Sequence, residues 1–478
     1  MKKYKLLFIH PSLTARVSED RLLLFPMGLG YLAASLKKHS NHSFEILDLN
    51  INHYAKDNLS AYINDKYKLE PPDFFLIGSI SSGYKIVSKI VQSLRAFLPN
   101  IPVIVGGVLS TLHSKLLIEK VKVDVAVIGE AEETLIELLE KWDDIENCAG
   151  IALLKNGQYF ATQKRDRIKD LNKFPMPYYE AFETEKYIQS YNNFFGYRGI
   201  TIIASRGCPY KCKFCFRNFG NAFYLKSPEN TMKEIIYLVD KHKVEAITFY
   251  DELFFLDKKW IQKLCRLMKD SKIKIKWSFN GRVNLFSRND LDLLKELKKV
   301  GLTRIVFGIE SADQKVLDLL GKDHVTPSSS SEALRVVRDA GIKATGNFLI
   351  GAPNESPTTI GNTVQFCKEN VLKTTFYVIQ PFPGTELFEK YLSHKMSHEE
   401  YLNSLQGRTD ASTLQINLTE MSDEEFLNLK NEAEKEINKL HFLYYLKYYR
   451  IRDLPKQIII DLYREFRRYL KGAYYQTP

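Results

Sequence analysis

The sequence has few of the features that mark secreted, membrane-spanning or nucleic-acid-binding proteins. Its 478 residues include only 6 cysteines, too few for a disulfide scaffold, which predicts a reducing, cytoplasmic setting. No apolar run approaches the roughly 20 residues that span a bilayer. The net charge is +11, but 68 basic residues are mixed with 57 acidic ones, and no nucleic-acid-binding module is present. We therefore predict no nucleic-acid partner, although the positive charge favours an anionic substrate or surface.

The first 150 residues lack the G-x-G-x-x-G motif that would follow the first strand of an ordinary dinucleotide-binding domain. The strand-like run Lys5–Ile9 is followed instead by His10-Pro11. Strand-like and helix-like segments then alternate as far as Trp142, which predicts an α/β, doubly wound, Rossmann-like (flavodoxin-like) sheet. Ligands of such sheets bind at the carboxyl ends of the strands, where this sequence carries serine and glycine residues that allow close approach of a backbone to a large ligand.

Three of the cysteines lie within eight residues, spaced C-x3-C-x2-C, directly after the strand-like run Ile200–Ala204. Thiolates bind zinc or iron–sulfur clusters well. A closed zinc site needs four ligands, and the next cysteine after Cys208, Cys212 and Cys215 is Cys265. Three thiolates on a four-iron cluster leave one iron open for a small chelating ligand. The spacing therefore predicts a reactive cluster, the alternative being three incidental cysteines without a metal.

This motif, with Phe214 before its last cysteine, resembles the signature of radical S-adenosylmethionine (SAM) enzymes. The resemblance implies that Cys208, Cys212 and Cys215 bind a 4Fe-4S cluster and that Phe214 lies beside the cofactor. It also implies that the open iron binds SAM and that an electron from the cluster cleaves SAM to a 5′-deoxyadenosyl radical. An electron donor such as flavodoxin or ferredoxin would then be required.

The segment Pro26–Ala34 is similar to the P-x-G-L-x-Y-L-A stretch of the cobalamin-binding module that precedes many radical SAM domains. The D-x-H-x-x-G motif of classical cobalamin proteins is absent, and Leu109 stands where many relatives carry histidine. A histidine ligand to cobalt is therefore not predicted, at either His10 or His113, and a degenerate domain that binds nothing is the alternative. The resemblance implies that cobalamin contacts residues at the strand ends: Pro11, Gly28, Ser79, Ser81, Ser82, Gly106, Gly107, Gly129 and Glu130.

From about residue 196 six strand–helix repeats predict a partial (β/α)6 barrel, in which chemistry gathers at the carboxyl ends of the strands. The strand ends resemble the SAM-binding segments of the radical SAM family. Asp251 and Glu252 would bind the SAM ammonium, and Arg282 would pair with a carboxylate. Glu310 and Ser311 would contact the ribose or amino-acid part, and the backbone of Ile350 and Gly351 would line the adenine. Cys148, Cys265 and Cys367 are expected to be buried apolar residues.

Two segments flank or follow this barrel. Residues 151–195 are predicted to form a linker, with a hairpin that turns at Asn156-Gly157. Residues 391–478 are predicted to be helical, with helices at Ser422–His441 and Pro455–Leu470 and a basic, aromatic stretch at Phe442–Arg450. We expect these helices to cap the barrel, and the alternative is peripheral contact with anionic lipid through the tyrosines and arginines.

Together these features predict four parts: a cobalamin domain at 1–150, the linker, a radical SAM barrel at 196–390 and a helical extension. The predicted function is that of a cobalamin-dependent radical SAM enzyme that methylates an unactivated carbon of a small-molecule or lipid substrate. One alternative uses the same cofactors for ring formation, ring contraction or oxidative cyclisation. The other is a non-catalytic protein that senses cobalamin. No motif identifies the substrate, because a fold does not specify a function.

Overall fold

A computed structural model describes residues 2–13, 22–52, 58–217, 219–372, 374–405 and 414–448 of the chain. Across these ranges the strands form one seven-stranded sheet, one six-stranded sheet and a two-stranded ladder. Helices cover both larger sheets. The predicted fold class, a Rossmann-like sheet followed by a partial parallel barrel and a helical extension, is confirmed.

The first sheet contains seven strands: β1 (Lys5–His10), β2 (Ser43–Asp48), β3 (Phe74–Gly78), β4 (Val103–Gly106), β5 (Val125–Val127), β6 (Ile151–Lys155) and β7 (Gln158–Ala161). Their order is β2-β1-β3-β4-β5-β6-β7. The first five strands are parallel, and β6 and β7 form an antiparallel hairpin beside β5. The hairpin carries this sheet on to Ala161, past residue 150. The domain divisions at residues 150, 195 and 390 stay predictions.

Both faces of this sheet are buried, as is usual for parallel strands with helices on either side. In β1, Leu6 and Phe8 pack in one apolar cluster, while Leu7 and Ile9 pack in the cluster on the opposite face. The side-chain period of 2 along a strand produces this division. The helices of the region are α1 (Met27–His39), α2 (Leu59–Tyr67), α3 (Tyr84–Phe97), α4 (Val108–Leu116), α5 (Glu132–Glu140) and α6 (Thr184–Phe195).

The second sheet contains six strands: β8 (Gly199–Ile202), β11 (Ala246–Phe249), β12 (Lys276–Gly281), β13 (Leu302–Glu310), β14 (Lys343–Ile350) and β15 (Phe376–Val378). All neighbouring strands are parallel, in the order β15-β14-β13-β12-β11-β8. The ladder of β9 (Ser205–Arg206) and β10 (Tyr224–Leu225) lies in the first connection. The register between β13 and β14 shifts between Gly308 and Glu310, and such bulges re-aim side chains.

The connecting helices are α7 (Pro228–His242), α8 (Lys258–Ser271), α9 (Leu291–Lys299), α10 (Gln314–Leu319), α11 (Pro327–Asp339) and α12 (Pro357–Glu369). Three of them begin with proline behind a serine or threonine whose side chain accepts a backbone hydrogen bond. That combination satisfies a free N–H group of the first turn and presets the helical φ angle. Local sequence therefore specifies where the barrel helices begin.

Among the described residues, three helices follow the barrel: α13 (Glu386–Tyr391), α14 (His398–Ser404) and α15 (Asp423–Tyr448). Helix α15 begins after Ser422, as predicted, and packs against α12, with Phe426 fully buried. The side chains of the aromatic, basic stretch Phe442–Arg450 and the whole of the predicted helix Pro455–Leu470 lie outside the described residues. In the part of the chain that the structure describes, none of the helices is both long enough and apolar enough to span a bilayer.

Candidate active site

The three predicted cluster ligands lie in the loop between β9 and β10, and that ladder holds the two ends of the loop together. Gly207, at the start of the loop, has a φ of +91°, and an added Cβ would lie 1.9 Å from the carbonyl oxygen of Ala222. Only glycine allows this backbone conformation and this close approach. The loop therefore depends on Gly207 to bring its first cysteine beside the barrel.

The loop also rests on two later connections of the barrel. The backbone N–H of Lys213 donates to the carbonyl of Leu320 at 2.9 Å, and the N–H of Leu387 donates to the carbonyl of Lys213 at 3.0 Å. Phe214 packs against an apolar cluster that includes Leu320 and Leu387. The predicted cofactor contact Phe214 thus lies where the loop meets its apolar support.

The three thiols share one electrostatic environment. Cys212 is buried, Cys208 is half-buried, and Cys215 is exposed at the opening of the barrel. Burial raises the pKa of Cys208, and the charges of Cys212 and Glu252 raise that pKa further. The pKa of Cys215 is raised to about 12, chiefly by desolvation of its thiol, although other parts of the residue are exposed. The charges of Cys212, Glu252 and Cys208 are the next causes. Binding of iron would therefore have to displace protons from these thiols.

Among the described side chains, no three of His, Cys, Asp or Glu are placed to hold a single metal ion. In a four-iron cluster each thiolate binds a different iron. The three sulfur atoms must therefore lie further apart than the ligands of a single metal ion. A buried cation, Arg282, reaches the set, and its Nη1 donates to Cys212 Sγ at 3.2 Å. Three thiols with a buried guanidinium suit an anionic iron–sulfur cluster.

The two acids after β11 point in different directions. Asp251 is buried, and its Oδ1 accepts hydrogen bonds from the backbone N–H groups of Ala204 at 2.9 Å and Ser205 at 2.5 Å. Its Oδ2 has no partner among the described residues, and burial raises the pKa of Asp251 to about 7. Glu252 is exposed, and its charge acts on the thiols of Cys208 and Cys215. Of this pair, Asp251 is bonded to the residues that precede the cysteine loop, and Glu252 is the exposed acid.

The two predicted SAM contacts after β13 also differ. Glu310 has a φ of +70° and accepts a hydrogen bond from Lys322 Nζ at 2.6 Å, in a buried ion pair. Glycine at position 308 leaves room for this pair, since an added Cβ would lie 2.5 Å from Glu310 Oε1. Ser311 is fully buried, and its Oγ accepts a hydrogen bond from the N–H of Asp313 at 3.1 Å. Ser311 therefore shapes the turn into α10.

The turn after β14 is stabilised by hydrogen bonds between its own residues. Glu355 Oε2 accepts hydrogen bonds from the N–H groups of Gly351 at 2.6 Å and Ala352 at 3.1 Å, while the Ile350 carbonyl accepts from Ile379. A Cβ at Gly351 would lie 3.2 Å from the ring of Phe426 in α15. The backbone predicted to line adenine is thus bonded to its own loop and covered on one side by the C-terminal helix.

A cavity of about 420 Å³ lies at the carboxyl ends of the strands of the first sheet. Seven of the nine predicted cobalamin contacts line it: Pro11, Gly28, Ser79, Gly106, Gly107, Gly129 and Glu130. Gly107 has φ +87° and ψ −165°, and an added Cβ would lie 2.5 Å from the Ser79 carbonyl oxygen. Glycine is required there to bring the two strand ends together.

The other two predicted contacts, Ser81 and Ser82, are absent from the residues that line this cavity. They form a short 3-10 turn before α3 and are buried, with hydroxyl groups that have no partner in the described ranges. His10 does line the cavity, and burial lowers its pKa, which favours the neutral imidazole.

The connection that follows β8 also lines the cavity, through Ile203, Arg206 and Phe219. Arg206 is buried, and its guanidinium donates to Glu130 Oε1 at 2.8 Å and to Glu132 Oε1 at 2.5 Å. Glu130 lies in the loop after β5, and Glu132 is the first residue of α5. The ion pairs therefore join the cobalamin side of the cavity to the strand that leads into the cysteine loop.

Sequence reasoning missed Arg206, Phe219 and Tyr31, which also lines the cavity. The guanidinium carbon of Arg206 lies 5.3 Å from the ring centroids of both aromatic residues. The nearest sequence signal was the position of Arg206 two residues before Cys208, together with the paired acids Glu130 and Glu132. Nothing local to Tyr31 or Phe219 indicates that they meet.

Two family models match the chain, one on each sheet. The Radical SAM superfamily matches residues 202–367, and the B12 binding domain matches residues 14–139. The chain is a B12-binding member of the radical SAM superfamily. The predicted family and cofactors are thereby confirmed: SAM, a 4Fe-4S cluster and cobalamin. It is a cobalamin-dependent radical SAM enzyme, which excludes the sensor alternative.

Relatives of this radical SAM enzyme include methyltransferases and cyclases. An uncharacterized methyltransferase of Pyrococcus horikoshii is 27% identical over 95% of this chain and 94% of its own length. An anaerobic magnesium-protoporphyrin IX monomethyl ester cyclase of Cereibacter sphaeroides is 26% identical over 81% of this chain, which spans 63% of the cyclase.

Two solved structures share the fold of the radical SAM enzyme. The methyltransferase TsrM of Kitasatospora setae, with cobalamin and a [4Fe-4S] cluster bound, has a TM-score of 0.68 and 16% identity over 82% of this chain and 75% of its own. The enzyme OxsB with aqua-cobalamin bound has a TM-score of 0.65 and 17% identity over 90% of this chain and 62% of its own. At these identities the likeness establishes the architecture alone.

Proposed function

We propose that this enzyme transfers a methyl group to an unactivated carbon of a small-molecule or lipid substrate. The observation that carries the proposal is the shared wall of the cavity. Arg206 and Phe219, which flank the three cysteines in the chain, line the same space as the strand ends of the first sheet. Groups held on the two sides would therefore meet across one cavity, as a reaction with two cofactors requires.

Two roles are assigned to side chains of the barrel. Cys208, Cys212 and Cys215 hold the cluster, since their thiols interact electrostatically at one opening. Glu252 binds the SAM ammonium, because it is exposed, whereas Asp251 of the same pair is buried and bonded to Ala204 and Ser205. When bound, the cluster with SAM supplies a carbon radical that removes hydrogen, and methylcobalamin supplies the methyl group.

The chain itself keeps this chemistry away from water. The cavity floor is apolar and consists of buried side chains from four neighbouring strands: Phe8, Leu76, Ile104 and Val127. The charged groups at its rim are already paired with one another, through Arg206 and its two carboxylates. A substrate radical formed there would be shielded from solvent until it reacts.

The proposal is tested by anaerobic reconstitution with SAM that carries a deuterated methyl group. We expect the wild-type enzyme to form both 5′-deoxyadenosine and labelled methylcobalamin. A variant in which all three cysteines are alanine should not cleave SAM and should form no deoxyadenosine. Wild-type enzyme without cobalamin is the matched control, which should release deoxyadenosine but form no labelled methylcobalamin. The methylation proposal would be contradicted if no labelled methylcobalamin formed with any strong reductant.

A second candidate function is ring formation, ring contraction or oxidative cyclisation with the same cofactors. The similarity to the Cereibacter sphaeroides cyclase across 81% of this chain favours it. Deoxyadenosine formed in proportion to substrate consumed, with no methyl label in cobalamin or product, would support this function over methylation. The electron donor, flavodoxin or ferredoxin, stays a prediction that the same assay tests by replacing the chemical reductant.

A further inference from the structure

The guanidinium of Arg282 is held in one orientation beside the cysteine loop. Its Nη1 donates to Cys212 Sγ at 3.2 Å, and its Nη2 donates to the carbonyl of Asp323 at 2.8 Å. The guanidinium carbon lies 4.0 Å from the ring centroid of Tyr210, which is within cation–π distance. A planar guanidinium group that donates two hydrogen bonds and stacks on an aromatic ring has little freedom to rotate.

This cation lacks the carboxylate partner that a buried arginine normally has. Arg282 is 6% exposed, and no ion pair joins it to an acid in the described part of the chain. Its Nε is buried and has no hydrogen-bond partner there. An uncompensated buried charge is strongly unfavourable, so the site requires an anion in the folded enzyme. The nearest candidate is the Cys212 sulfur, which becomes anionic when it binds iron.

A second buried cation near Arg282 differs from it in having a carboxylate partner. Lys322, one residue before Asp323, is equally buried but pairs with Glu310 at 2.6 Å. Arg282 follows β12, whereas Lys322 follows α10 and bonds to Glu310 at the end of β13. Of the two, only Lys322 has its charge balanced by a side chain in the described part of the chain. Arg282 is therefore the cation whose charge is available to the cluster.

We propose that Arg282 is a positioning residue that raises the reduction potential of the cluster by donating a hydrogen bond to Cys212 Sγ. Hydrogen bonds to cluster sulfurs and nearby positive charge stabilise the reduced, more negative state. The role differs from the pairing with a SAM carboxylate that the sequence predicts. It rests on the proposed assignment of Cys212 to the cluster.

The test measures the one-electron reduction of the cluster by dithionite, followed by electron paramagnetic resonance, in full-length reconstituted enzyme without SAM. Arg282→Met removes the charge and both donors, whereas Arg282→Lys retains the charge. We expect Arg282→Met to bind iron and sulfide normally and to lower the equilibrium constant for reduction about tenfold, a fall of about 59 mV. Arg282→Lys should lie between Arg282→Met and wild type.

Arg288→Met is the matched control, because Arg288 lies six positions further along and is exposed in an ion pair with Asp339. It should leave the potential unchanged. Resonance Raman spectra add a direct readout: iron–sulfur stretching bands should shift in D₂O for wild type but not for Arg282→Met. The affinity for SAM, measured from its effect on the spectrum of the reduced cluster, should not change in Arg282→Met.

An unchanged potential with weakened SAM binding in Arg282→Met would overturn the proposal and assign Arg282 to the SAM carboxylate. Loss of iron from both Arg282 variants, with normal loading of wild type, would also overturn it, since Arg282 would then serve assembly. Failure of wild type itself to bind iron at Cys212, shown by an unaltered cluster in Cys212→Ala, would instead refute the proposed function.

Discussion

The cluster loop and the cobalamin cavity are assembled in opposite ways. The loop takes three thiols from eight consecutive residues, whereas the cavity takes its lining from strand ends between Phe8 and Phe219. The loop is specified by the chemical type of its residues, since only thiolates bind iron–sulfur clusters well. The cavity is specified by shape, because glycine and apolar residues provide space without providing a ligand. Substitutions should therefore remove function abruptly in the loop and gradually in the cavity.

The charges of the two regions differ in the same way. Around the thiols, Arg282 and Glu252 remain available to a ligand, while in the cavity Arg206 is neutralised by Glu130 and Glu132. A cation in the cluster region can thus act on a cofactor, and one in the cavity region acts on the protein. Four sets of substitutions test this comparison, in order of expected effect.

The largest effect is expected from Cys212→Ala. Removal of one of three thiolates should abolish stable cluster binding, because each thiolate holds its own iron. Iron and sulfide content and the charge-transfer absorption should fall to the level of the apoprotein, with no SAM cleavage. Cys265→Ala is the control, since Cys265 is buried in α8. A full cluster in Cys212→Ala would show that the loop is not the cluster site.

Arg206→Met should cause the next largest effect, on stability. The substitution leaves the buried carboxylate of Glu132 without its cation and leaves Glu130 only the longer contact with Arg167 Nε at 3.6 Å. Loss of a buried ion-pair partner typically costs about 3–5 kcal/mol. Urea unfolding monitored by circular dichroism measures the change. Arg198→Met is the control, because its ion pair with Glu185 is largely exposed and should contribute about 0–1 kcal/mol. Equal losses in the two variants would refute a coupling role for Arg206.

Asp251→Asn should change the pH dependence of stability. Burial raises the pKa of Asp251 from 3.8 to about 7, so between these values the folded enzyme binds more protons than the unfolded chain. Stability from this group is complete below about pH 4 and is lost as the pH rises to about 7. The loss is at most about 4 kcal/mol, from about 1.4 kcal/mol for each pKa unit.

The amide of Asp251→Asn cannot ionise, so the variant should gain stability relative to wild type at pH 8 and little at pH 5. Urea unfolding at the two values measures this difference. SAM affinity should be retained, because the side chain is turned towards Ala204 and Ser205. Glu252→Gln is the matched variant for SAM binding and should weaken it, whereas Asp251→Asn should not. Parallel pH profiles of wild type and Asp251→Asn would contradict the burial argument.

The smallest effects are expected from two glycines that both line the cavity. Gly107→Ala should cost about 1–3 kcal/mol, because its backbone lies in a region that is almost exclusive to glycine. Gly28→Ala should not destabilise the fold, since an added Cβ meets nothing within 4 Å and alanine favours the helix by about 0.5–1 kcal/mol. Thermal unfolding and cobalamin titration of both variants separate backbone strain from lost space. Equal stability of the two variants would contradict the geometry of Gly107.

Much of the fold was predictable because its signals are local. The alternation of apolar strands and amphipathic helices depends on side-chain periods of 2 and 3.6, which are visible in any short window. The orientation of side chains at strand ends was not predictable in this way. Asp251 and Ser311 were predicted to face a cofactor, but the structure turns Asp251 towards the N–H groups that precede the cysteine loop and Ser311 into the turn before α10. Each side chain points towards partners brought close by a different loop.

The sequence alone determined the family, the cofactors and the order of the two sheets. Three thiols at a set spacing have few other uses, and strand–helix repeats have few ways to bury their apolar faces. Only the tertiary structure decided that Arg206 forms ion pairs with two carboxylates and that Arg282 donates a hydrogen bond to the sulfur of Cys212. It also decided that Phe219 and Tyr31 line one cavity. Those outcomes depend on contacts between residues far apart in the sequence, such as Arg206 and Tyr31, which are 175 positions apart. No local pattern encodes them, because folding selects such contacts by the burial and charge balance of the whole chain.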